Sequence, residues 1–105
     1  MKQKDYEIAK ELKDQLSKVI QLLDFRVFGS RARGDADEYS DMDVFLKVNH
    51  LDKKLDDEIF NIVWEIGFKH FMVISPLIFT KHEIEETAMR SSPIVLNIME
   101  EGIVV

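Results

Sequence analysis

Residues 27–47 read VFGSRARGDADEYSDMDVFLK, and the fold turns on how this stretch is read. Two apolar runs flank a turn region that carries Gly29, Gly34 and several aspartates. "FRVFG" is short, β-prone and closed by a glycine, which predicts a strand; "DVFLKV" predicts a second one. The region between them places Gly-Ser, two arginines and Asp-x-Asp within a few residues of each other.

That spacing suits a phosphate and metal site. Asp41 and Asp43 open the second strand, and side chains two apart on a strand share a face, with Cα atoms about 6–7 Å apart. Their oxygens can converge on one ion or clamp two ions about 3.5–4 Å apart. Carboxylate oxygens are hard ligands that suit Mg2+ (or Mn2+ in its place), with substrate phosphates as further ligands. Ser40, just ahead, supports a ligand or fixes the turn. Gly29 lets the backbone approach a phosphate, and amide groups of a following helical turn face an anion. The Ser30 hydroxyl adds a donor, and Arg31 or Arg33 adds a planar cation matching phosphate oxygens.

Singly, each part is ordinary. Asp-x-Asp arises by chance in a chain with 20 acidic residues, Gly-Ser is commonly a turn, and lone arginines are commonly surface charge. The combination between two β-like runs is much more specific. A P-loop is excluded because Asp35 and Ala36 follow Gly34 where Lys and Ser or Thr are needed. A calcium loop starting at Asp35 is excluded by Ser40 at its sixth position and Leu46 at its twelfth.

Outward from this stretch, Ile8, Leu12, Leu16, Val19, Ile20 and Leu23 predict an amphipathic first helix. Asp52 predicts the cap of a second, with Leu55, Ile59, Ile62, Val63 and Ile66 as its stripe and Gly67 as its stop. "FMVISPLIF" is apolar on both faces, as in a strand inside a sheet, while Pro76 suggests an edge position or a bulge. Thr80 and Glu83 form a capping box for a third helix, and Ser92-Pro93 opens a last one ending at Gly102. The closing "IVV" adds a little strand. The expectation is one α/β (α+β) domain over residues 1–105, a small mixed sheet flanked by helices.

Composition supports a folded domain: 46% of the 105 residues are hydrophobic and 10% aromatic. The net charge of −6 argues against general nucleic-acid binding, which needs a basic face. Without cysteine there are neither disulfides nor thiolate sites. A polar N-terminus and the lack of any membrane-length apolar run make a cytoplasmic protein the expectation. Trp64 reads as core packing or a partly exposed anchor, His70 and His82 as solvated or capping groups, and His50 as part of the loop after the second strand.

"FGSRARGDADEYSDMDVFL" resembles the G-S-x(9)-S-D-x-D signature of the DNA-polymerase-β-like nucleotidyltransferases, and the G-S-x-A-R-G form is most similar to the minimal nucleotidyltransferases of bacteria and archaea. The resemblance implies that Gly29 and Ser30 bind the triphosphate of ATP or another nucleoside triphosphate, and that Asp41 and Asp43 bind Mg2+. It also implies transfer of a nucleoside monophosphate to an acceptor hydroxyl. It further implies a HEPN-domain toxin as partner, this chain being the antitoxin of a HEPN/MNT pair. One departure stands out. The superfamily usually supplies a third carboxylate from the next sheet strand, and from Gly67 to Lys81 there is no Asp or Glu. Either a carboxylate enters from elsewhere, with Glu58 as a guess, or a partner chain supplies it, or the protein is a non-catalytic antitoxin that binds nucleotide or toxin. The short chain also points to a protein acceptor or to a homo-oligomer, since it leaves no room for a domain that grips a small acceptor.

Overall fold

Hydrophobic periodicity locates the first helix but overruns its end. In the computed structural model, which describes residues 1–105, α1 spans Gln3–Leu16 and buries Ile8, Ala9, Leu12 and Leu16. Val19, Ile20 and Leu23, expected on its stripe, lie beyond it. Ser17 closes the helix, its hydroxyl donating to the Lys13 carbonyl at 2.7 Å. Val19 and Ile20 fall in the following turn, and Leu23 belongs to β1 (Leu22–Phe28). Stiff β-branched pairs are weak helix extenders, so the cap prevails over the spacing.

The chain then forms α2 (Gly29–Arg33), β2 (Met42–Val48), α3 (Lys53–Lys69) and β3 (Ile74–Thr80). After these come α4 (Lys81–Glu86), a 3-10 turn (Ala88–Ser91), α5 (Pro93–Glu101) and β4 (Ile103–Val104). The capping residues act as their sequence predicts. Asp52 accepts from the Leu55 amide at 2.8 Å, Thr80 and Glu83 cap reciprocally, and Ser92 caps α5 with Pro93 in its first turn.

Gly67 is not a helix stop, and α3 continues to Lys69. The glycine lets the chain fold back over the helix: a Cβ there would sit 2.5 Å from the Met72 carbonyl oxygen, whose own amide bonds the Gly67 carbonyl at 2.8 Å. The reversal puts Phe71 in the left-handed region, at φ +53°.

The sheet order is β3-β2-β1-β4. β1 pairs antiparallel with β2 and with β4, and β2 pairs parallel with β3. β3 is thus an edge strand, which overturns the reading of its apolar run as an interior strand. Only Ile74 and Phe79 of it are buried. Pro76, unable to donate to a second neighbour, fits this edge.

β2 shows how the two faces differ. Met42, Val44 and Leu46 join Ile8, Leu12 and Leu16 of α1 and Ile59, Val63 and Ile66 of α3 in the main core. Phe45 points the other way, into a small cluster with Phe79, Val95 and Ile98. Asp43 and Lys47 share that second face with Phe45, because strand side chains alternate.

Candidate active site

β1 ends at Phe28, which pairs with Asp43, one residue into β2. Gly29 follows in a left-handed conformation, at φ +75°, and opens α2. Its missing side chain has a direct structural use: a Cβ there would lie 2.7 Å from Asp43 Oδ2. The Gly-Ser bend and the second acid of the Asp-x-Asp pair are therefore in contact range, across a space that only glycine leaves open.

The two acids also sense each other. Burial, and then the charge of Asp41, push the Asp43 carboxyl above its ordinary 3.8. Asp43 is half-buried and Asp41 exposed, so desolvation acts on the inner acid.

The two arginines of the turn part company. Arg31 was expected at a phosphate, and the structure turns it inward instead. It is 6% exposed, its Nη1 bonds Asp5 Oδ1 at 3.0 Å, and Nε and Nη2 donate to the Ser40 carbonyl at 3.0 and 2.7 Å. Nη2 also reaches the Asp37 carbonyl at 3.2 Å. With its donors so committed, Arg31 ties the 35–40 loop to α1 and so sets where Asp41 begins. Arg33 remains half-exposed at the end of α2, with a 3.3 Å contact to Asp35 and a 3.7 Å contact to Glu101. Ser40 serves the turn: its hydroxyl bonds the Asp37 amide and carboxylate, each at 3.2 Å. Ser30 occupies the first turn of α2.

The third-acid position is now defined. Asp43 is in register with Ser75 on parallel β3, so a hydroxyl stands beside it on the same face. Glu58 does not fill the gap. It lies on α3, over the opposite face, and lines a cleft with His50 and Gln21 at the far end of β1 and β2. Nowhere in the chain do three His, Cys, Asp or Glu residues converge on one point. Two of the three histidines are paired elsewhere, His70 with Glu11 at 2.9 Å and His82 with Glu86 at 2.6 Å, and His50 lines the cleft with Glu58.

The sequence profile of the nucleotidyltransferase domain family matches residues 6–105. The chain belongs to that family. A Methanocaldococcus jannaschii protein, provisionally named a protein adenylyltransferase, is 40% identical over 76 residues, covering 71% of each chain. Among solved structures, a toxin–antitoxin complex with AMP-PNP superposes with a TM-score of 0.61 at 18% identity, over 95% of this chain and 70% of that one. A Sulfolobus solfataricus protein, provisionally described as a nucleotidyltransferase, gives 0.55 at 18% identity, over 93% and 76%. At such identities the structures show the shared nucleotidyltransferase fold. No helix of this nucleotidyltransferase domain is long and apolar enough to cross a membrane.

Two features of the site escaped sequence reading. Asp5, the buried partner of Arg31, lies 26 residues from it, and no local pattern connects them. Ser75 lies in the stretch without Asp or Glu, and its alignment with Asp43 follows only from the strand register.

Proposed function

We propose that the domain transfers AMP from ATP to a hydroxyl of a partner protein, as the antitoxin of a HEPN toxin. The observation that carries this reading is the bare α-carbon of Gly29 against the Asp43 carboxylate, with Asp41 close enough to raise the Asp43 pKa. Two clustered carboxylates are a hard-oxygen donor set, which fits Mg2+ completed by triphosphate oxygens and water. Asp41 and Asp43 would hold one or two such ions, or Mn2+. When bound, the metal supplies charge neutralisation of the triphosphate.

The chain's own residues do the rest. Gly29 and Ser30 offer the opening amides of α2 to phosphate oxygens. Arg33, whose solvent-open ion pairs are worth little, is the cation free to turn toward phosphate. The acceptor oxygen attacks the α-phosphorus, the bond from that phosphorus to the bridging oxygen breaks, and pyrophosphate leaves. No third carboxylate waits for the acceptor proton, so it passes to Asp41, to Asp43 or to water.

The test uses the purified protein, its HEPN partner, labelled ATP and Mg2+. Label should appear on the partner. A partner that is neutralised without ever gaining label removes the catalytic account. Ser75 beside Asp43 favours a second reading, a non-catalytic antitoxin that neutralises by binding. An Asp41→Asn/Asp43→Asn variant separates the two: full neutralisation by it supports the binding reading, and lost neutralisation with retained binding supports catalysis.

A further inference from the structure

The outer side of α3 carries a row of open aromatic rings. Phe60 is 46% exposed, Trp64 and Phe68 67% each, and Phe71 93%, with Val73 beside them at 63%. Trp64 and Phe68 stack at 5.1 Å with ring planes 10° apart. Phe71 is held at the rim by a left-handed backbone that bulky residues rarely adopt. Rings and backbone enclose a groove of about 360 Å3 between α3 and residues 71–74, floored by Val63 and Gly67. The face lies across the sheet from Asp43, so the phosphate cradle does not explain it.

We infer that this face is a homodimer interface, in which α3 of one protomer packs antiparallel on α3 of its partner about a two-fold axis midway between Trp64 and Phe68. Area is the first argument. An aromatic side chain presents roughly 150–250 Å2 when open, so the row at these exposures leaves about 600 Å2 of apolar surface. That is the upper end of what a monomer leaves in water, about 300–600 Å2. Doubled across a two-fold axis, it reaches about 1,200 Å2, where specific, stable interfaces begin.

Self-complementarity is the second argument. The rings fall at 60, 64, 68 and 71, a spacing that reads nearly alike in both directions. An antiparallel copy therefore sets each Trp64 over the other protomer's Phe68 and brings each Phe71 to the other's Phe60. The two stacked pairs merge into one ladder, and each groove is closed by the other chain's rings, as an isologous contact requires. Charge is the third. The chain carries −6, which opposes self-association, but none of the five row residues is charged, so the apolar contact itself buries no charge.

The inference rests on the fold and not on nucleotidyl transfer, so the two fail separately. Sedimentation velocity on the purified full chain, without toxin or nucleotide, should give a concentration-dependent species of twice the 12.3 kDa chain mass. Trp64 is the single tryptophan, and its emission should shift to the red on dilution through the same range. Trp64→Glu and, separately, Phe71→Glu change open positions and should weaken the dimer at least about tenfold, the scale of a central interface residue. Unchanged circular dichroism would show that both variants still fold. A chain that stays monomeric up to hundreds of micromolar (roughly) overturns the inference, even if the toxin or lipid vesicles then shield Trp64. A dimer that survives both substitutions overturns it too.

Discussion

The two faces of the sheet are built for different tasks. The face under α1 and α3 is closed by apolar side chains drawn from both helices and from three strands. The face under α5 has a four-residue cluster and, at the end of β2 next to α2, leaves Asp41 and Asp43 in reach of solvent. Alternate residues of one strand serve both: Val44 and Leu46 anchor the core, and Asp43 between Met42 and Val44 carries the charge. Stability and chemistry are thus separated by one step of the pleat, and substitutions on the two faces should fail in different ways.

The largest separation is expected at Asp43. If the proposed AMP transfer holds, Asp43→Asn should lower it about 10³-fold, since losing a proposed metal ligand would remove several kcal/mol of transition-state stabilisation. Thermal unfolding should be unchanged or slightly improved, because burial already disfavours that charge. A large fall in melting temperature would break the division between the faces. Arg31→Met should do the reverse, costing about 3–5 kcal/mol by stranding the buried Asp5. Adding Asp5→Leu should recover most of that, whereas Arg33→Met should leave stability within about 0.5 kcal/mol. Chemical denaturation measures all three.

On the core face, Leu46→Ala should cost about 2–5 kcal/mol, with transfer per folded molecule retained. The smallest effects are in pH dependence, and there the faces have opposite signs. Glu11, on α1, is held below its ordinary 4.5 chiefly by the Lys69 hydrogen bond and then by that of His70. Its contribution is present above pH 4.5 and is lost as pH falls through the lowered folded value. Asp43 is raised above 3.8, so its ionisation lowers stability as pH climbs from 3.8 through the raised value. Denaturation curves across roughly pH 3–6 should therefore lose one slope in Glu11→Gln and the other in Asp43→Asn. If Asp41→Asn leaves the Asp43 titration, followed by NMR, where it was, the acids are not coupled.

Much of the fold was legible because its signals are local. The caps at Asp52, Thr80 and Ser92 act over three residues, and the helix stripes over a few turns. The misreadings came where a tertiary contact prevailed over a local rule. Gly67 looked like a stop but is a close approach to Met72. The apolar run of β3 looked like an interior strand by its composition, and only Pro76 pointed to the edge position that the sheet order gives it. Arg31 and Arg33 are alike to sequence reasoning, being two residues apart in one turn, and only burial against α1 separates them.

The sequence by itself determined the order of the long helices and strands, the caps and the placing of a glycine-serine bend and two acids around one turn, because these depend on spacing along the chain, whereas the short helix α2 stands where it indicated a turn. Tertiary structure alone decided which arginine stays free, that Ser75 stands beside Asp43, and that the α3 aromatics face outward. Those depend on strand register and on packing between residues distant in sequence, where neither periodicity nor propensity has any reach.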